Sequence, residues 1–185
     1  EVNKEECKPC PAGYFCELGA SSYLSNGCPV GHYCPENTTA AYENPCPAGT
    51  FNGLPEQTSD VACESCTPGK YCARTGLSAP DDDCEDGWSC LGGNVDSTPE
   101  GSECLPGTYC PTGTAEPLAC DEGKYCGGSL LAVVSGDCDA GYYCVGSAAV
   151  SNPDGSDETG GPCPVGHYCE AGAVDPVPCS SGTFA

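Results

Sequence analysis

The chain has 185 residues, of which 20 are Cys, 26 Gly and 18 Pro, and it carries 27 acidic against five basic side chains for a net charge of −22. Val, Leu and Phe together number 23, with no Ile and no Met, too few to build the core that a chain of this length would ordinarily bury. An ordinary compact enzyme domain is excluded, and the scattered cations Lys4, Lys8, Lys70, Arg74 and Lys124 cannot supply the clustered charge that nucleic acid or an anionic membrane surface requires.

In chain order, one unit dominates: Cys-x-x-Gly-x-aromatic-Cys. It starts at Cys10 (CPAGYFC), Cys28 (CPVGHYC), Cys46 (CPAGTFN), Cys66 (CTPGKYC) and Cys84 (CEDGWSC), then at Cys104 (CLPGTYC), Cys120 (CDEGKYC), Cys138 (CDAGYYC), Cys163 (CPVGHYC) and Cys179 (CSSGTFA). The Gly is present every time, and the aromatic residue keeps its place except at Cys84, where Trp88 stands one position early. Pro followed two residues later by Gly favours a β-turn over the first four residues, and the next three suit a short extended segment whose aromatic side chain covers a neighbouring disulfide. Gly, Pro and Cys interrupt every helical window, so no helix is expected, one turn around Ser129 to Ser135 being the sole place left open to it. The longest apolar run, Leu130 to Val134, is far too short to span a bilayer.

Two units lack the closing Cys: Asn52 stands there after Cys46, and Ala185 after Cys179. Cys46 is followed instead by Cys63, Cys66 and Cys72, a spacing that Cys7, Cys10 and Cys16 repeat near the start of the chain. Joining Cys179 to Cys7 therefore recreates the longer module, as expected for one period of a head-to-tail series. The opening residues Glu1 to Glu6 contain no hydrophobic leader, as in a mature product or an excerpt of a longer chain.

An even number of regularly spaced cysteines reads as a disulfide framework in an oxidising compartment. Parity pairs Cys46 with Cys63 and leaves groups of four. Each group closes either locally, as Cys10–Cys16, or by interleaving. The interleaved pairs are Cys10–Cys28, Cys16–Cys34, Cys66–Cys84, Cys72–Cys90, Cys104–Cys120, Cys110–Cys126, Cys138–Cys163 and Cys144–Cys169. Interleaving is favoured, because a turn over Cys10 to Gly13 followed by three extended residues carries Cys16 about 10 Å from Gly13, beyond the roughly 7 Å that a disulfide spans between Cα atoms. Cys7 and Cys179 remain as interface residues. The expected organisation is a half-module plus four-cysteine unit over 1–45 and a single-bridge module over 46–65. Four-cysteine modules follow over 66–103 and 104–137, another with an acidic insertion over 138–178, and a half-module over 179–185.

The units CPAGTF…C-x-x-C and CPAGYFC resemble the ephrin-receptor-like cysteine-rich repeats. The alternation is also similar to tumour necrosis factor receptor modules, which combine a single-bridge loop with an interleaved four-cysteine loop. The resemblance covers nearly the whole chain and implies small disulfide-rich repeats with short β-hairpins and little or no helix, arranged as an elongated rod. Similar arrays occur in large surface proteins, including mastigoneme proteins that form filaments on flagella. CEDGWSC and the long gap between Cys144 and Cys163 depart from the pattern.

Candidate sites are few. Zinc ligation by Cys7, Cys10, Cys63 and Cys66 with His32 or His167 has the right spacing, but both His residues fill a variable slot of the repeat. Asp81, Asp82, Asp83, Glu85 and Asp86 are weak calcium candidates, with Asp154, Asp157 and Glu158 as a second acidic group. Otherwise no cofactor is expected. Asn37-Thr38-Thr39 is the sole glycosylation sequon. No nucleophile, base and pocket come together, so no enzyme is expected. The reading is a structural segment of an extracellular glycosylated filament, on a cell or flagellar surface or in secreted matrix. Its partners are copies of the same chain and glycans, with no nucleic acid and no direct membrane insertion. A receptor ectodomain stalk, anchored to a ligand through Trp88 or Arg74, is the alternative.

Overall fold

The computed structural model describes residues 7–184. Twelve strands of two or three residues form six antiparallel or short two-stranded ladders, and the described residues contain no α-helix. β1 (Thr50–Phe51) pairs with β2 (Glu64–Ser65), and β3 (Lys70–Tyr71) with β4 (Asp82–Asp83). β5 (Thr108–Tyr109) pairs with β6 (Leu118–Ala119), and β7 (Lys124–Tyr125) with β8 (Gly136–Asp137). β9 (Tyr142–Cys144) pairs with β10 (Gly160–Pro162), and β11 (His167–Tyr168) with β12 (Val177–Pro178). Each hairpin thus joins the residues around one unit's aromatic slot to those just ahead of the next unit's first Cys. Ser129 to Ser135 is a run of bends, with Leu130 at φ 59°, and the helical turn is instead a 3-10 turn at Asp60–Ala62.

The chain divides into two compact units, one of residues 1–82 with 91–97 and one of residues 83–90 with 98–185. The interior is made of half-cystines: among the described residues the buried apolar side chains are Cys residues, Ala148 and Pro153. Tyr125 packs on the Cys138–Cys144 bridge of the following unit, which is the aromatic cover anticipated for the slot.

The disulfides correct the expected connectivity. Cys46 does bond Cys63, but every other bridge is local: Cys10–Cys16, Cys28–Cys34, Cys66–Cys72, Cys84–Cys90, Cys104–Cys110, Cys120–Cys126, Cys138–Cys144 and Cys163–Cys169. The reason is the register of the turn. It runs from the second to the fifth residue of the unit, one place later than expected. Tyr14 N–H donates to Pro11 O and His32 N–H to Pro29 O, and the corresponding bond recurs in all ten units. Gly thereby takes the third turn position, where φ lies between 73° and 90°, the left-handed conformation a type II turn demands. The two Cys residues then flank the reversal with Cα atoms 5.8 Å apart at Cys10–Cys16, within disulfide reach.

Six of these glycines (Gly13, Gly31, Gly49, Gly87, Gly107 and Gly123) are also sterically required. A Cβ on Gly31 would lie 2.1 Å from the carbonyl oxygen of Gly76, and one on Gly49 would lie 2.6 Å from that of Gly93. Gly101 shares the left-handed φ (79°) but has open space around it. Replacing Gly101 by Ala is expected to cost only the conformational strain, about 1–2 kcal/mol. Gly31→Ala is expected to cost clearly more, since backbone must move as well. Leu130, a side chain held at positive φ, should do the reverse, with Leu130→Gly stabilising by about 1 kcal/mol. Thermal unfolding of the three variants checks the ranking.

Candidate assembly interface

Within each of the two compact parts of the chain, successive repeats are joined by backbone hydrogen bonds in a fixed register. The N–H of the turn Gly donates to the carbonyl of the closing residue of the next unit, as Gly13 to Cys34 and Gly107 to Cys126, both 2.8 Å. The N–H of the next first Cys returns a bond to that Gly, as Cys28 to Gly13 O and Cys120 to Gly107 O. The closing Cys N–H reaches the loop beyond the next unit, as Cys16 to Thr38 O and Cys126 to Ala148 O. Lastly, a residue three or four positions past the next closing residue donates to the first Cys carbonyl, as Asn37 to Cys10 O and Gly172 to Cys138 O.

That last donor always sits in a left-handed slot. Its occupants are Asn37, Glu56, Gly76, Gly93, Gly113, Leu130, Ser147 and Gly172, with φ between 54° and 77°. Its own carbonyl caps the turn Gly two units back: Glu56 O over Gly13, Leu130 O over Gly87, Ser147 O over Gly107 and Gly172 O over Gly123. Every unit so capped has a buried Gly, whereas Gly141, Gly166 and Gly182 are exposed with nothing within 4 Å of an added Cβ. The aromatic slot becomes exposed one unit later. Phe51, Tyr71, Tyr109, Tyr125 and Tyr143 are half-buried, while Tyr168 is 48% and Phe184 98% exposed.

Asn52 shows how a unit manages without its closing Cys. Its buried side chain donates from Nδ2 to His32 O (3.0 Å) and accepts the Leu54 N–H at 3.0 Å, while Cys46 turns to Cys63. The sequence marked this position as exceptional, but gave no signal that an amide substitutes for the bridge. Among the described residues the unpaired cysteines are Cys7, exposed, and Cys179, half-buried, the two left over by parity. Ala185, in the place of Cys179's closing residue, lies outside the described residues.

Asn37 is exposed at the third position of the turn Pro35–Thr38, whose Thr38 hydroxyl also donates to Pro35 O. Thr39, the sequon's hydroxyl residue, donates both N–H and Oγ1 to Glu43, and these bonds hold the Glu43 carboxyl below its ordinary range.

The metal candidates do not converge. Cys10, Cys63 and Cys66 are in disulfides. His32 is buried edge-on to Tyr42 with Nδ1 3.1 Å from Val30 O. Asp81 is held by the Arg74 guanidinium and the Ala73 N–H, and Asp82 and Asp83 lie in β4. Among the described residues no three His, Cys, Asp or Glu side chains are grouped to hold a metal. The Asp154 and Asp157 carboxylates turn back on the N–H groups of Ser156 and Thr159. Of the alternative anchors, Trp88 is half-buried and bridged to Glu103, and Arg74 is engaged by Asp81. No described helix is long and apolar enough to cross a membrane. The tandem disulfides are those of a protein of the oxidising, extracellular or secreted side. Comparison with protein-family models and with curated proteins finds no match.

The hydrogen bond from Arg74, ahead of the Ala73 N–H, holds the Asp81 carboxyl below its ordinary range. A group with a depressed folded pKa adds stability above its unfolded value and loses it as pH falls through the folded one. Carboxyl NMR titration should therefore find the Asp81 midpoint below the ordinary aspartate range. Arg74→Ala should raise the Asp81 midpoint toward the ordinary aspartate range.

Proposed function

We propose that this chain is a structural, non-catalytic repeating segment of an extracellular filament, extended head to tail through its cysteine-rich units. The observation that carries the reading is the pairing at Cys46–Cys63. A unit without a closing Cys takes its partner from three residues before the next unit's first Cys. Cys179 belongs to such a unit, and Cys7 stands three residues before Cys10. The partner of Cys179 on this rule is a cysteine in the position of Cys7, supplied by the next copy of the segment. The open register of the ladder supports the same reading, since a series in which each unit contacts only those one and two places away extends by adding units.

The acidic surface keeps such a fibre hydrated and deters lateral association. A glycan on Asn37 fits the exposed turn and adds to that effect. The receptor alternative loses ground because Trp88 and Arg74 are both engaged within the chain rather than left free as binding anchors.

The test is disulfide mapping of unreduced native material with an acid-directed protease. A peptide joining Cys7 to Cys179, together with single peptides carrying closed Cys10–Cys16 and Cys163–Cys169 rings, is the expected result. A mass shift at Asn37 on enzymatic deglycosylation should accompany it. Cys7 and Cys179 found as free thiols in assembled native material would contradict the proposal.

A further inference from the structure

The ladder also specifies the non-covalent half of such a joint. On the first unit, Cys10 N–H, Cys16 C=O and Gly19 N–H make no hydrogen bond to another described residue, nor do Cys179 C=O, Gly182 N–H and Gly182 C=O on the last. These are the groups that interior units use on each other. Gly19, with φ 82° and three residues past Cys16, occupies the left-handed slot that Gly93, Gly113 and Gly172 fill elsewhere.

We propose that the exposed face around Gly166, Tyr168 and Gly182 is a docking surface for the turn Glu17–Ala20 and the Cys10 unit of a second copy, in the register of the chain's own ladder. Cys10 N–H then donates to Gly182 O, Gly182 N–H to the second copy's Cys16 O, and its Gly19 N–H to Cys179 O. The carbonyl of that Gly19 caps Gly166, as Gly93 O caps Gly49 and Gly172 O caps Gly123 two units away. Apolar surface is exposed on both sides of this contact: Tyr168 and Phe184 on the last face, Leu18 at 107% on the first. The occupant is argued from continuity, since the same contact is made six times within the chain by turn glycines whose added Cβ would meet that carbonyl at 2.1–2.9 Å. The proposal rests on the filament reading and names the partner surface of the same joint.

A steric test separates the two. In the single chain a Cβ at Gly166 meets nothing within 4 Å, so Gly166→Ala costs the lone molecule no more than Gly101→Ala, which has the same handed φ away from the face. In the joint that Cβ strikes the second copy's Gly19 carbonyl. The 185-residue wild type, Gly101→Ala and Gly166→Ala are folded oxidatively and followed by sedimentation velocity. The expected result is head-to-tail oligomers for wild type and Gly101→Ala, and at least a tenfold weaker association for Gly166→Ala. Melting temperatures of the Gly101 and Gly166 variants should agree, which establishes that Gly166→Ala is folded. Oligomers of Gly166→Ala as abundant as wild type, still linked Cys7 to Cys179, would overturn this docking and leave the filament standing. A wild-type chain that stays monomeric under oxidation would overturn both.

Discussion

The left-handed turn glycine is the constraint on which the remaining structure depends. Because it takes positive φ at the third turn position, the chain reverses tightly enough for the two flanking cysteines to meet. With no Cβ, it also lets the carbonyl of a residue two units away approach to a distance that any other side chain forbids. Its amide and carbonyl, released from the local turn, face the next unit and carry the ladder. One residue type at one position thus sets the disulfide pattern, the inter-unit hydrogen bonds and the spacing of the series.

This explains how so acidic and aliphatic-poor a chain folds. A seven-residue cystine loop constrains the unfolded chain by about 2.4 kcal/mol in the chain-entropy treatment, less than longer interleaved loops would. Local bridges alone fix only the shape of each turn. The connections between turns are backbone hydrogen bonds, each worth about 1 kcal/mol net, made in groups of four per neighbour and shielded by half-cystine sulfur and half-buried aromatic rings. Stability is therefore distributed along the chain rather than concentrated in a core, and an interface between copies can be built from the same contacts as an interface between units.

Much of this was legible in the sequence. The ten repeats, the absence of helix, the extended pairs such as Thr108–Tyr109, the Cys46–Cys63 bridge and the two leftover cysteines all follow from spacing and composition. The interleaved pairing did not hold, and the cause is a single register step: Pro was assigned to the second turn position when it occupies the first, so Gly moved from the fourth to the third. Pro is compatible with either place, and only the sign of φ at Gly decides. The left-handed slot after each unit was harder still to read, because Glu56, Leu130 and Ser147 occupy it alongside Gly. None of these signals positive φ, and tertiary hydrogen bonding imposes it. Asn52 was noticed for the cysteine it lacks, while its amide bonds depend on the His32 carbonyl twenty residues earlier. The acidic run at 81–86 is distributed over a strand, an ion pair and a turn, which no count of carboxylates reveals.

The most direct test of this account is amide hydrogen exchange, resolved by residue, in the intact oxidised chain. The turn glycines Gly13, Gly31, Gly49, Gly87, Gly107 and Gly123 donate to the next unit and are buried, so their amides should be strongly protected and should lose protection together when the disulfides are reduced. Gly101 and Gly182, which make no such bond, should exchange at rates near those of open loops. Fast exchange at the six buried glycines, with slow exchange confined to hairpin amides such as Phe51 and Tyr109, would contradict the claim that the glycine ladder holds the units together.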